Sequence, residues 1–92
     1  MTIKRIFVTG RVQAVGFRDW VVRTAKAEGI TGWVRNRSDG SVEMVASGEE
    51  DAVARFAEAC REGPALARVD NVEVVAADDE KPGKGFTKRF TA

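Results

Sequence analysis

The stretch Ile3-Lys4-Arg5-Ile6-Phe7-Val8-Thr9-Gly10-Arg11-Val12-Gln13-Ala14-Val15-Gly16-Phe17-Arg18-Asp19-Trp20-Val21-Val22-Arg23-Thr24-Ala25-Lys26-Ala27-Glu28-Gly29 changes period once, and that change decides the fold. Ile3 to Thr9 is rich in β-branched residues and Phe, and reads as a strand although its alternation is imperfect. Gly10 to Gly16 is a loop bracketed by glycines. From Phe17 to Glu28 the pattern is helical: Phe17, Val21 and Ala25 recur at i, i+4 and i+8 with Val22 beside them, and Gly29 stops the run.

The rest of the chain repeats the alternation of strand and helix. Thr31 to Asn36 and Ser41 to Ala46 read as two strands, and Ser38-Asp39-Gly40 between them has hairpin-turn chemistry. Ser47 with Glu50 three residues on reads as a capping box opening a second helix, whose apolar stripe is Val53, Phe56, Ala57 and Cys60. Gly63-Pro64 ends that helix. Val69 to Ala77 is a fourth strand, Asp78 to Gly85 a polar loop, and Phe86 to Phe90 a short last strand. The order β-α-β-β-α-β plus a terminal strand, with right-handed crossovers, puts both helices on one face of an antiparallel sheet. The fold class is therefore α+β, a ferredoxin-like α/β sandwich formed by residues 1–92 as a single domain. Phe56, Phe86 and Phe90 are expected in its core, and Trp20 and Trp33 in its framework.

Composition excludes several chemistries. The 92 residues carry 15 Lys and Arg against 14 Asp and Glu, a net charge of +1 that lacks the footprint of a dedicated nucleic-acid binder. There is no His, so no Ser-His-Asp triad, His metal ligand or phosphohistidine can form. One Cys makes neither an intrachain disulfide nor a multi-thiolate zinc site. Only a three-residue apolar run follows the N-terminal charges, too short for a signal peptide or a membrane span. A cytoplasmic monomer is expected, with no cofactor, no metal and neither nucleic acid nor membrane as partner.

Chemistry concentrates in the first loop. Amides at a helix N-terminus attract anions, and Arg18 in the first helical turn opposes the helix dipole unless an anion lies there. Arg18 could then fork onto two phosphoryl oxygens. On spacing alone, an anion site and a plain connecting loop both remain open. A nucleotide P-loop is excluded, because Phe17-Arg18 stands where Lys and Ser or Thr are needed. A cysteine phosphatase loop is excluded too, because the position six after Cys60 is Leu66 and Cys60 belongs to an apolar stripe. In Gly32-Trp33-Val34-Arg35-Asn36-Arg37-Ser38-Asp39-Gly40, Asn36 is either a turn residue or an amide that orients a water. Arg35 and Arg37 read as a solvated strand face, and Asp78-Asp79-Glu80 as a polar turn. The third strand has no aromatic on which RNA bases could stack.

Gly10 to Arg18 is similar to the G-x-V-Q-G-V-x-F-R signature of the acylphosphatase family, and Gly32 to Gly40 to its G-x-V-x-N-x-x-D-G signature. The resemblance continues through Gly63-Pro64-Ala65, Val69 to Val75 and the terminal Phe-rich strand. It implies hydrolysis of the anhydride of a small-molecule acyl phosphate to carboxylate and inorganic phosphate, without a metal and without a phosphoenzyme. Carried over by position, it makes Gln13, Ala14, Val15, Gly16 and Phe17 the phosphate loop, Arg18 the phosphate-binding arginine and Asn36 the residue that positions the attacking water. The alternative is a non-catalytic anion-binding or regulatory module on the same fold. Ala14 departs from the signature, where glycine is usual and could serve a positive φ or close approach of the phosphate.

Overall fold

The computed structural model describes all 92 residues, Met1–Ala92. Seven elements follow in order: β1 (Thr2–Arg11), α1 (Phe17–Ala27), β2 (Thr31–Asn36), β3 (Val42–Gly48), α2 (Glu50–Ala59), β4 (Arg68–Ala76) and β5 (Phe86–Lys88). The five strands form one sheet in the order β4-β1-β3-β2-β5. β1 pairs antiparallel with β3 and β4, and β3 antiparallel with β2. The sheet is nevertheless mixed, because β5 lies parallel to β2, with Phe86 beside Gly32 and Lys88 beside Val34. An antiparallel sheet follows from hairpins alone. Residues 77–85 instead run from the β4 edge to the β2 edge, and that crossing delivers β5 in the parallel sense.

Both helices pack on one face. Phe17, Val21 and Ala25 of α1 and Ala52, Val53 and Phe56 of α2, with Cys60 just beyond it, meet Ile6, Val8, Val34, Val42, Met44, Ala46, Val72 and Phe86 of the sheet. The rings of Phe56 and Phe86 meet edge to face at 6.0 Å. Cys60 is fully buried with its Sγ 3.9 Å from the Met44 Sδ, and burial pushes its thiol up to about 12, so it is core as expected. Trp33, Val45 and Ala77 are buried outside this cluster.

Three expectations are corrected. Ser47 does not cap α2: it pairs within β3 with Ile3 and Thr31, and the N-cap is Glu49, without a side-chain cap bond. The strand ladder claims Ser47 before the helix can use it. The last strand ends at Lys88 rather than Phe90, and Phe90 is 96% exposed instead of buried. Arg35 and Arg37 are not simply solvated. With Arg5 they converge on the buried carboxylate of Glu43, at 2.8, 3.2 and 2.5 Å.

Candidate active site

Strand direction decides where the chemistry collects. β1 and β2 each run antiparallel to β3, and β5 runs parallel to β2, so the C-terminal ends of all three lie at one end of the sheet. Loop 12–16, Asn36 and Lys88 are therefore neighbours. The loop is pinned at both ends, since Val12 and Phe17 are each 1% exposed while Ala14 and Gly16 between them face solvent. Gly63 makes room for the second anchor: a Cβ there would lie 2.8 Å from the Phe17 ring.

Between those anchors the backbone turns into the left-handed region twice, at Ala14 (φ 59°) and Gly16 (φ 77°). Ala14 is the only residue other than glycine with positive φ. The geometry that usually calls for glycine is thus adopted with a methyl group present. No amide from Val12 through Gly16 donates to a backbone or side-chain acceptor within the chain. Gly16 caps α1 without a side-chain bond, leaving the first amides of the helix open as well. A run of free N–H groups at a helix N-terminus is a site for an anion.

These groups face a cleft of about 140 Å³ bounded by Val12, Ala14, Gly16, Phe17, Arg18, Asp19, Asn36 and Lys88. Arg18 is half-buried and makes no ion pair, so its charge is uncommitted. Asn36 shares with Val34 the face of β2 under α1, because side chains alternate along a strand. Its Oδ1 is buried and has no hydrogen-bond partner.

Of the residues singled out in the sequence, Ala14, Gly16, Phe17, Arg18 and Asn36 come together on this wall, whereas Gln13 and Val15 do not. Val15 packs against the core. Gln13 staples the loop to the hairpin: its Nε2 donates to the carbonyls of Arg37 (2.7 Å) and Ser41 (2.9 Å). The turn itself is held by Asp39, whose Oδ1 accepts from the amide and the hydroxyl of Ser41. Gly32, at the head of the second motif, has φ 145° and lies so close to the Val45 carbonyl across the strand that a Cβ would strike it, so only glycine fits there. Two polar members of the wall had no signal in the sequence. Lys88 donates to Asp19 at 2.6 Å, a contact created by the parallel pairing of β5, and that bond holds the Asp19 carboxyl below its ordinary range. No group of three or more His, Cys, Asp or Glu side chains is placed to hold a metal ion.

The family model described as acylphosphatase matches residues 4–88. The chain belongs to the acylphosphatase family. Its sequence is 52% identical over 91 residues to an acylphosphatase of Nitrobacter hamburgensis, covering 94% of this chain and 92% of that protein. Its fold superimposes on the crystal structure of acylphosphatase from Bacillus subtilis with a TM-score of 0.92, at 38% identity over 97% and 99% of the two chains. For the acylphosphatase from Coxiella burnetii the TM-score is 0.90, at 40% identity over 96% and 92%. Acylphosphatases hydrolyse acyl phosphates, and this chain is an enzyme of that kind. No helix is long and apolar enough to cross a membrane.

Proposed function

We propose that this acylphosphatase works by direct attack of a water held at Asn36 on a phosphoryl group bound by Arg18 and by the free amides of residues 13–18. The observation that carries the reading is the side chain of Asn36, which has no hydrogen-bond partner within the chain and belongs to the wall of the cleft that Arg18 and the loop also line. Arg18 and the amides would spread the charge of the three non-bridging oxygens.

The bookkeeping of the step needs no titrating side chain. The water oxygen bonds to phosphorus, the anhydride P–O bond breaks, and its electron pair departs on the carboxylate. Both water protons stay with the product, which leaves as dihydrogen phosphate while the acyl half leaves as the carboxylate. The leaving acid has a pKa of about 4 to 5, close to that of Glu, so it departs unprotonated and no general acid is required. Asn36 orients without acting as a base, and catalysis rests on placement and charge. Arg18, the loop and Asn36 come from one chain, so the site is complete in a monomer; the reading is also of an enzyme that uses no cofactor and acts in the cytoplasm on a small-molecule acyl phosphate.

The test is benzoyl phosphate hydrolysis in EDTA. Asn36→Ala should lower kcat by about 100-fold while inorganic phosphate still inhibits, since positioning is lost and the cradle is kept. Unchanged turnover in that variant, or activity abolished by the chelator, would overturn the mechanism.

A further inference from the structure

A second, larger cleft of about 710 Å³ opens beside the phosphate site and shares Arg18 and Lys88 with it. Its remaining wall is Arg35, Arg89, Phe90 and Thr91. Four of the six residues are cations and none is acidic. Two are already paired, Lys88 with Asp19 at 2.6 Å and Arg35 with Glu43 at 2.8 Å. Arg18 and Arg89 have no carboxylate partner.

Arg89 is exposed, and two contacts place it. Its amide donates to the Val34 carbonyl at 2.8 Å, and its guanidinium lies 4.5 Å from the centre of the Trp33 ring. The Arg35 guanidinium lies 5.0 Å from the same centre. Two like charges gathered about one aromatic repel each other, and an anion beside them relieves that repulsion. A small neutral acyl group would leave both cations to solvent. A purely apolar one would pack on Phe90 and on the aliphatic stems of the cations, but would leave their charged ends unanswered.

We propose, on the reading of the phosphate site given above, that the outer cleft binds the acyl half of the substrate and that Arg89 selects acyl groups carrying a second anionic group. The preferred substrates are then acyl phosphates whose acyl chain bears a carboxylate or a further phosphate. The phosphoryl end lies against Arg18 and the loop, and the distal anion against Arg89 and Arg35. Arg89 is a specificity residue, placed outside the phosphate cleft and apart from the reacting atoms.

The test compares kcat/KM for 4-carboxybenzoyl phosphate and benzoyl phosphate, two rigid substrates that differ mainly in the distal charge. An exposed pair between opposite charges is worth up to about 1 kcal/mol, so the parent should favour the carboxylated substrate by about fivefold, less at high salt. Arg89→Gln should erase that preference by weakening the anionic substrate selectively, and Arg89→Lys should keep part of it. Equal efficiency for the two substrates, a preference for benzoyl phosphate, or an equal loss on both in Arg89→Gln would overturn the assignment of the outer cleft and leave the phosphate site standing. Failure to hydrolyse either substrate would overturn the reading of the phosphate site, and this one with it.

Discussion

Ala14 holds a left-handed backbone (φ 59°) that an alanine adopts only at a cost of about 1–2 kcal/mol. The cost is tolerated because Val12 and Phe17 fix the loop at both sides and Gln13 ties it to the hairpin. Ala14→Gly relieves the strain but gives the unfolded chain more freedom, so the net gain should be smaller, about 1 kcal/mol, or a few degrees in Tm. Its kcat should stay within the same order of magnitude, because the conformation that frees the amides is already reached with the methyl group. A melting curve and a rate measurement on the one variant check both statements. Gln13 offers a sharper case, since it acts through a donor alone. Gln13→Ala leaves the carbonyls of Arg37 and Ser41 without that donor and should cost about 1–2 kcal/mol. It should also lower kcat, because Asn36 and the loop lose the bond that sets their spacing. Gln13→Glu, ionised at neutral pH and with no N–H to donate, should be no better than alanine. Wild-type stability in the Glu variant would show the staple to be incidental.

At the scale of elements, the strands β1, β2 and β3 meet in one charge network on the face away from the helices. Burial by itself would push the Glu43 carboxyl up, but the hydrogen bonds from Arg35 and Arg5 outweigh it and hold the group below its ordinary range. A carboxylate depressed in the folded state contributes stability that is complete above its unfolded value of about 4.3 and is lost as pH falls through the folded one. The urea midpoint should therefore drop on acidification below about pH 4.3. Glu43→Gln should be less stable at neutral pH by about 2 kcal/mol, a figure below the full buried-pair penalty because the arginines are partly solvated, and its acid limb should be shallower. An acid limb equally steep in the variant would assign the drop to other carboxylates. The same network explains one failure of sequence reading. Arg35 on β2 and Arg37 just past its end alternate outward as a solvated pair would, and only the cross-strand register of Arg35 with Glu43 shows what they do. Helix periods, the hairpin and the breaks at Gly29 and Gly63 were legible because each is a local signal. The Ser47 and Glu50 pattern was equally local and misled, since Ser47 is still committed to the ladder with Ile3 and Thr31.

Across the whole molecule, the part of the candidate site that lies in contiguous motifs has a signal in the sequence, and the part brought up by chain crossing has none. Arg18 and Asn36 sit in segments whose glycines and turn residues announce them, whereas Lys88, Arg89 and Phe90 reach the site only because residues 77–85 carry the chain to the far edge of the sheet. That return has a mechanical consequence. Beyond β5 the chain keeps following β2: the Ala92 amide donates to the Asn36 carbonyl, and the Ser38 amide donates to the Ala92 carbonyl, both at 3.0 Å. The main chain on either side of Arg37 is thus held from outside the hairpin, at the residue whose side chain would place the water. Removing Phe90 to Ala92 deletes those two bonds and leaves β5 and Arg89 in place. The buried core loses nothing, as Phe90 is exposed, so the shortened chain should fold with a loss of only about 1–2 kcal/mol. Its kcat should fall about tenfold or more, because small errors in placement are costly to a reaction that depends on geometry. Inhibition by inorganic phosphate should hardly change, since Arg18 and the loop amides are untouched. A parallel loss of phosphate affinity would instead show that the tail supports the cradle, and unchanged kcat would show that β2 holds Asn36 without help.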